Sequence, residues 1–131
     1  MLEQDYVMRM IKEMVRAVLK LVFNVDTASP TAELLENSNE RDTLNELMKL
    51  VDVGEICDAE NQLYEITKDG QIDKLKIGLL FYLHLNTKTD EFLEKHRFSR
   101  EEVQQGFAEL VSGYGLNNVY ELFMLEVDDG E

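Results

Sequence analysis

The chain has 131 residues, 44% of them hydrophobic and 31% charged, and a net charge of -14. That is the size of one domain, with enough apolar content for its own core, and it rules out a disordered chain. The acidity speaks against general nucleic-acid binding, because phosphate would be repelled, and one cysteine cannot form an internal disulfide.

Residues 5–24 carry the longest helical signal. At about 100° per residue, Val7, Met8, Met10, Ile11, Met14, Val15, Val18, Leu19, Leu21 and Val22 fill one half of the wheel. Arg9, Lys12, Arg16 and Lys20 fall on the other half, with Asp5 as the expected N-cap. These cations and Glu13 interrupt the apolar residues, so the segment is not read as a signal peptide or a membrane span. It also departs from the acidity of the chain as a whole. Residues 1–24 hold four basic and three acidic groups, and the rest holds nine against twenty-four.

After a loop from Asn24 to Ser29, Ser29-Pro30 predicts a helix start, with a short helix over 30–37 and an interruption at Ser38-Asn39. Leu44, Leu47, Met48 and Val51 predict a helix over 40–52. An internal repeat follows. Gly54-x-Ile56-x-x-Ala59-x-x-x-Leu63-x-x-Ile66 is echoed by Gly70-x-Ile72-x-x-Leu75-x-x-x-Leu79-x-x-Tyr82. Each unit reads as a glycine turn and a helix with one apolar stripe, and the pair is expected to fold as an antiparallel hairpin. The second helix, Ile72 to Leu85, is apolar around much of its circumference and is expected to be the most buried.

Thr87 to Asp90 caps a short helix through Glu94, and Ser99-Arg100-Glu101-Glu102 is a capping box for a helix bearing Val103, Phe107, Leu110 and Val111. Gly113-Tyr114-Gly115 ends it. Asn117 to Val127 is the last predicted helix, and residues 128–131 are expected to be a frayed acidic tail. No stretch alternates with period two, so no sheet is expected.

Two resemblances bear on the fold. The spacing from Gly54 to Leu63 resembles the second helix of a tetratricopeptide-type repeat. The first-helix signature is missing, and the repeat's roughly 34-residue period does not run through the chain. The opening Gln4-Asp5-Tyr6-Val7-Met8-Arg9-Met10-Ile11 is similar to that of an uncharacterised family of small acidic helical proteins from Gram-positive bacteria. Those N-termini read Asp-Tyr-aliphatic-Met-Arg-aliphatic-Ile. The similarity implies an all-helical fold and carries no activity with it.

Side chains patterned for catalytic or ligand chemistry are few. His84 sits in the most apolar helix and His96 at the end of a short one, and both read as structural. Cys57 lies among Glu55, Asp58 and Glu60, which would hold its thiol protonated, and it reads as a small buried hydrophobe. Residues 68–73 suggest a calcium loop until Lys76 falls where the bidentate glutamate must be. No metal, cofactor or catalytic residue is assigned.

The expectation is therefore a single all-α domain of antiparallel helical hairpins, tetratricopeptide-like or an irregular bundle. It comprises an amphipathic helix over 5–24, a body over 30–127 and a tail. The leading functional reading is a non-enzymatic module that binds a protein or peptide partner, or itself, in the cytoplasm. Met10, Met14, Val18 and Leu21 would supply apolar contact, and Arg9, Lys12, Arg16 and Lys20 would steer an acidic partner. For the helix taken by itself the first reading is structural: the apolar half caps the helical stack and the basic stripe pairs with the acidic body. A second functional reading is a small enzyme or ligand-binding protein with a pocket lined by Tyr64, Tyr82, His84 and carboxylates. A third is a peripheral membrane protein, which the acidity and the absence of Trp disfavour.

Overall fold

A helix that is greasy on every side has to be surrounded, and the chain is organised around one such helix. In the computed structural model, which describes residues 2–129 and the side chains of residues 5–124, seven α-helices occur in order. They are α1 (Leu2–Phe23), α2 (Ser38–Asp52), α3 (Ile56–Thr67), α4 (Leu75–Asn86), α5 (Asp90–Lys95), α6 (Arg100–Gly113) and α7 (Asn117–Asp129). No strand occurs among the described residues, and the fold is all-α. No helix is long and apolar enough to cross a membrane among those residues.

Leu75, Ile77, Leu79, Leu80, Phe81, Tyr82 and Leu85 are all buried, so α4 buries most of its circumference, with Lys76, Leu83 and His84 partly exposed. α1, α2 and α6 pack around it, while α3 leans chiefly on α2 and touches α4 only lightly. The expected hairpin of the two repeat units is thus not the main contact of either helix. The repeat itself is broken at its first apolar position: Ile56 is buried, whereas Ile72 lies in a 3-10 turn (Ile72–Lys74) and is 52% exposed. α3 pairs with α2 because the connection is only Val53, Gly54 and Glu55. Gly54 takes φ +91, and the His96 ring lies so close that any Cβ there would strike it.

Local sequence sets the helix ends. Asn37 caps α2 by accepting from the Asn39 and Glu40 amides, so Ser38-Asn39 opens a helix instead of interrupting one. The helix expected over 30–37 is a single 3-10 turn, Ala32–Leu34, capped by Thr31; so short a segment does not sustain a helix without tertiary support. Thr89 caps α5 through the Phe92 amide, and Ser99 caps α6 through the Glu102 amide. Asp5 is not a cap, because α1 starts at Leu2. Asp128 and Asp129 continue α7, and Gly130 and Glu131 lie outside the described residues.

Arg100 is the buried cation of the fold, 8% exposed. Its guanidinium donates to the Asp90 carboxylate at 3.0 Å, to the Asn86 carbonyl at 3.2 Å and to the Lys88 carbonyl at 2.5 Å. It thereby joins the end of α4, the start of α5 and the start of α6. Asn86 is buried on the other side of that junction and donates to the Met8 carbonyl of α1 at 2.9 Å.

Asp52, at the end of α2, accepts from His84 Nε2 and from Lys88 Nζ, both at 2.7 Å. Burial works against its carboxylate, but the hydrogen bonds and charges of Lys88 and His84 outweigh that and lower its pKa. A depressed carboxylate stabilises the fold above its unfolded pKa, and that contribution disappears as pH falls through the folded value. The Asp52→Asn variant is accordingly expected to show a shallower loss of stability below about pH 4 than the parent. At neutral pH it should lose less than about 1 kcal/mol, because the site is half exposed. Urea unfolding across pH checks this; parallel pH profiles would contradict it.

Candidate functional site

α6 packs on α4 and α3 touches it lightly, and between α3 and α6 lies an open cleft of about 570 Å³. The α3 wall presents Cys57, Glu60, Asn61, Tyr64 and Lys68, and the α6 wall presents Glu102, Gln105, Gly106, Glu109 and Gly113. These are helical spacings, so one face of each helix lines the cleft for about 16 Å. Leu63, Tyr82, Phe98 and Leu110 give it an apolar floor, with Tyr114 at one end.

The centre of the floor is a hydrogen-bonded pair. The Tyr82 hydroxyl donates to Glu60 Oε2 at 2.7 Å, and among the described residues that carboxylate has no other hydrogen bond. Gly106 lies directly over the pair: a Cβ at this position would come within 2.4 Å of both Glu60 Oε2 and the Tyr82 hydroxyl. A glycine inside a helix costs about 1 kcal/mol relative to alanine. Here it lets α6 close on α4 and α3 without displacing the pair.

Burial raises the Glu60 pKa; the Tyr82 hydrogen bond opposes the rise, and the charges of Glu102 and Glu109 add to it. Burial, then the Glu60 charge and hydrogen bond, push the Tyr82 phenol far upward, so it stays a donor and is no base. Cys57 is exposed at the rim, and burial together with Glu60, Glu102 and Asp58 raises its pKa, which makes it a poor nucleophile. Glu60 is thus a carboxylate whose charge is strained by its neighbours, and a cation placed beside it would relieve that strain. No group of three or more His, Cys, Asp or Glu side chains is placed to hold a metal ion among the described residues.

A profile of DUF6483, a family of unknown function, matches residues 1–115. The chain belongs to that family. No curated protein and no solved structure matches it. The DUF6483 match includes both cleft walls, the Glu60–Tyr82 pair and all of α1, and it stops before α7. The α7 helix packs on α1 and α6, with the Tyr6 hydroxyl donating to the Met124 carbonyl at 3.3 Å, but none of its described side chains is fully buried.

The residues singled out from the sequence are divided by the structure. Met10, Met14 and Val18 of α1 are at most 1% exposed and belong to the core, so they are not available to a partner; this corrects the expected apolar contact surface. The physical reason is that α4 needs a covering helix and α1 supplies it. Leu21 is 74% exposed, on the outward side of α1. Arg9, Lys12 and Arg16 are exposed and make no ion pair among the described residues, while Lys20 lies 3.8 Å from Asp26.

Of the pocket residues expected from sequence, Tyr64 and Tyr82 do line the cleft, with carboxylates. His84 does not; it belongs to the Asp52 cluster. Gly106 and the convergence of Glu102 and Glu109 went unread. A glycine within a predicted helix was the available signal for a close approach.

Proposed function

We propose that this DUF6483 protein is a non-enzymatic binding module, and that its cleft receives a basic amphipathic helical segment of a protein partner. The observation that carries this reading is the groove between α3 and α6. It has an apolar floor, the part-buried Glu60–Tyr82 pair at its centre and Glu102 and Glu109 along one wall. A helix laid on two others buries its apolar stripe, which is the common helix-in-groove mode. A Lys or Arg at its centre would reach Glu60, and flanking cations would meet the two wall carboxylates. The use of helix-pair faces is tetratricopeptide-like, although the connectivity is not a repeat array. Lone Cys57 and the opening motif support placing the protein in the cytoplasm of Gram-positive bacteria, among small acidic relatives.

The test is titration of a designed basic amphipathic peptide into the dilute full chain, followed by calorimetry and by amide shifts. Binding is expected to perturb Asn61, Tyr64, Gln105 and Tyr114. Glu60→Gln keeps an acceptor for Tyr82 and removes the strained charge. It should weaken binding by roughly tenfold or more while leaving stability unchanged or slightly raised. Asn61→Trp should obstruct the groove. Shifts that map elsewhere, or wild-type affinity in either variant, would refute the proposal.

A further inference from the structure

Two surfaces of opposite charge on one chain have matching geometry. α1 turns its apolar half into the core and leaves Arg9, Lys12 and Arg16 exposed, with no ion pair among the described residues. Arg9 and Arg16 are seven residues apart on a helix, hence two turns or about 10.5 Å along its axis. Glu102 and Glu109 on the α6 wall of the groove are also seven apart on a helix and exposed, hence at the same separation. Gln105 lies between them, as Lys12 lies between the two arginines. Glu13 stands at the edge of the basic stripe, and Lys68 closes the far end of the groove, where it is tied to Glu65 at 2.7 Å.

We infer that the outward face of α1 docks along the α6 wall of the groove in a second copy of this chain, pairing Arg9 and Arg16 with Glu102 and Glu109. This rests on the groove reading for the acidic α6 wall only, because the apolar half of α1 lies in its own core. A second copy fits because Arg9, Lys12 and Arg16 form an exposed cationic face on one helix, free of ion pairs among the described residues, with the same spacing as the groove's own acidic wall. The contact joins different patches, so it either closes into a ring or small oligomer or continues as a chain. At long range the two acidic bodies repel. The pairing therefore works at contact distance, and its strength peaks at intermediate salt, where body repulsion is screened over about a Debye length.

The experiment is sedimentation of the full chain over a concentration series, with two charge-reversed variants. Arg9→Glu/Arg16→Glu disables the stripe, and Glu102→Lys/Glu109→Lys disables the wall; each should weaken self-association by roughly tenfold or more. Mixing the two variants pairs a reversed stripe with a reversed wall and should restore association, as a mixed species only. All four positions are exposed, and circular dichroism confirms that each variant is folded. A wild-type chain that stays monomeric throughout, association that ignores either reversal, or a mixture that stays apart would each overturn the inference. If the designed peptide still binds in a Glu60-dependent way in those cases, the groove reading survives and only the identity of its occupant falls.

Discussion

Phe107→Ala is expected to cost about 3–5 kcal/mol, a large share of the 5–15 kcal/mol of a typical domain. Phe107 is wholly buried on α6, and its ring meets Tyr82 edge-on at 6.0 Å and Tyr120 of α7 at 6.5 Å. Tyr82 in turn meets Phe81 at 5.0 Å, so a row of rings runs from the core helix to the last helix. Alanine here removes apolar area and leaves a void bounded by α4, α6 and α7 that rigid helices cannot fill. The damage should also reach the cleft, because Tyr82 loses the neighbour that holds its ring under Gly106. Phe107→Leu keeps most of the volume and should cost less than half as much. Urea unfolding read at a helical circular dichroism band measures both, with the denaturant slope expected to hold. A loss below about 1 kcal/mol for the alanine variant would mean that α6 does not pack on α4 as described.

Arg100→Ala ranks second, at about 2–3 kcal/mol. The guanidinium serves three acceptors on two neighbouring segments, and its removal strands the Asn86 and Lys88 carbonyls and the Asp90 carboxylate. Complete burial of the pair would argue for more, but Asp90 is 42% exposed and recovers water. Arg100→Lys keeps the charge without the planar fork and should lose a good part of the same stability. The alanine variant should melt on the order of 10 °C below the parent. If the lysine variant melts with the wild type, the fork geometry is irrelevant.

Much of the fold is legible in the sequence, because buried helices write their packing into residue type. α4 is recognisable from Ile77 through Leu85 with hardly a polar residue, and α6 from its capping serine and the spacing of Val103, Phe107 and Leu110. Less legible is which helix lies on which. The repeat suggests that α3 and α4 form a unit, yet the three-residue link after α2 commits α3 to α2 first. Periodicity likewise identifies a greasy face without naming its cover, which is why Met10, Met14 and Val18 read as well for a partner as for the core.

The candidate site is harder to read. Glu60 looks like any other surface acid until α4 places Tyr82 beneath it, and His84 departs to Asp52 because a helix shows its residues to several neighbours at once. Glycines at 78 and 106 carry the hidden information. Both sit where α4 and α6 would otherwise stand farther apart, with Gly78 facing Leu110 and Gly106 facing the Glu60–Tyr82 pair.

The position of α4 near the middle of the chain has a consequence for synthesis. Translation delivers α1 long before the helix that it must cover, and α6 arrives later still. A nascent chain therefore emerges with a methionine-rich amphipathic segment that has nowhere to lie, and the interior can assemble only once the second half has left the ribosome.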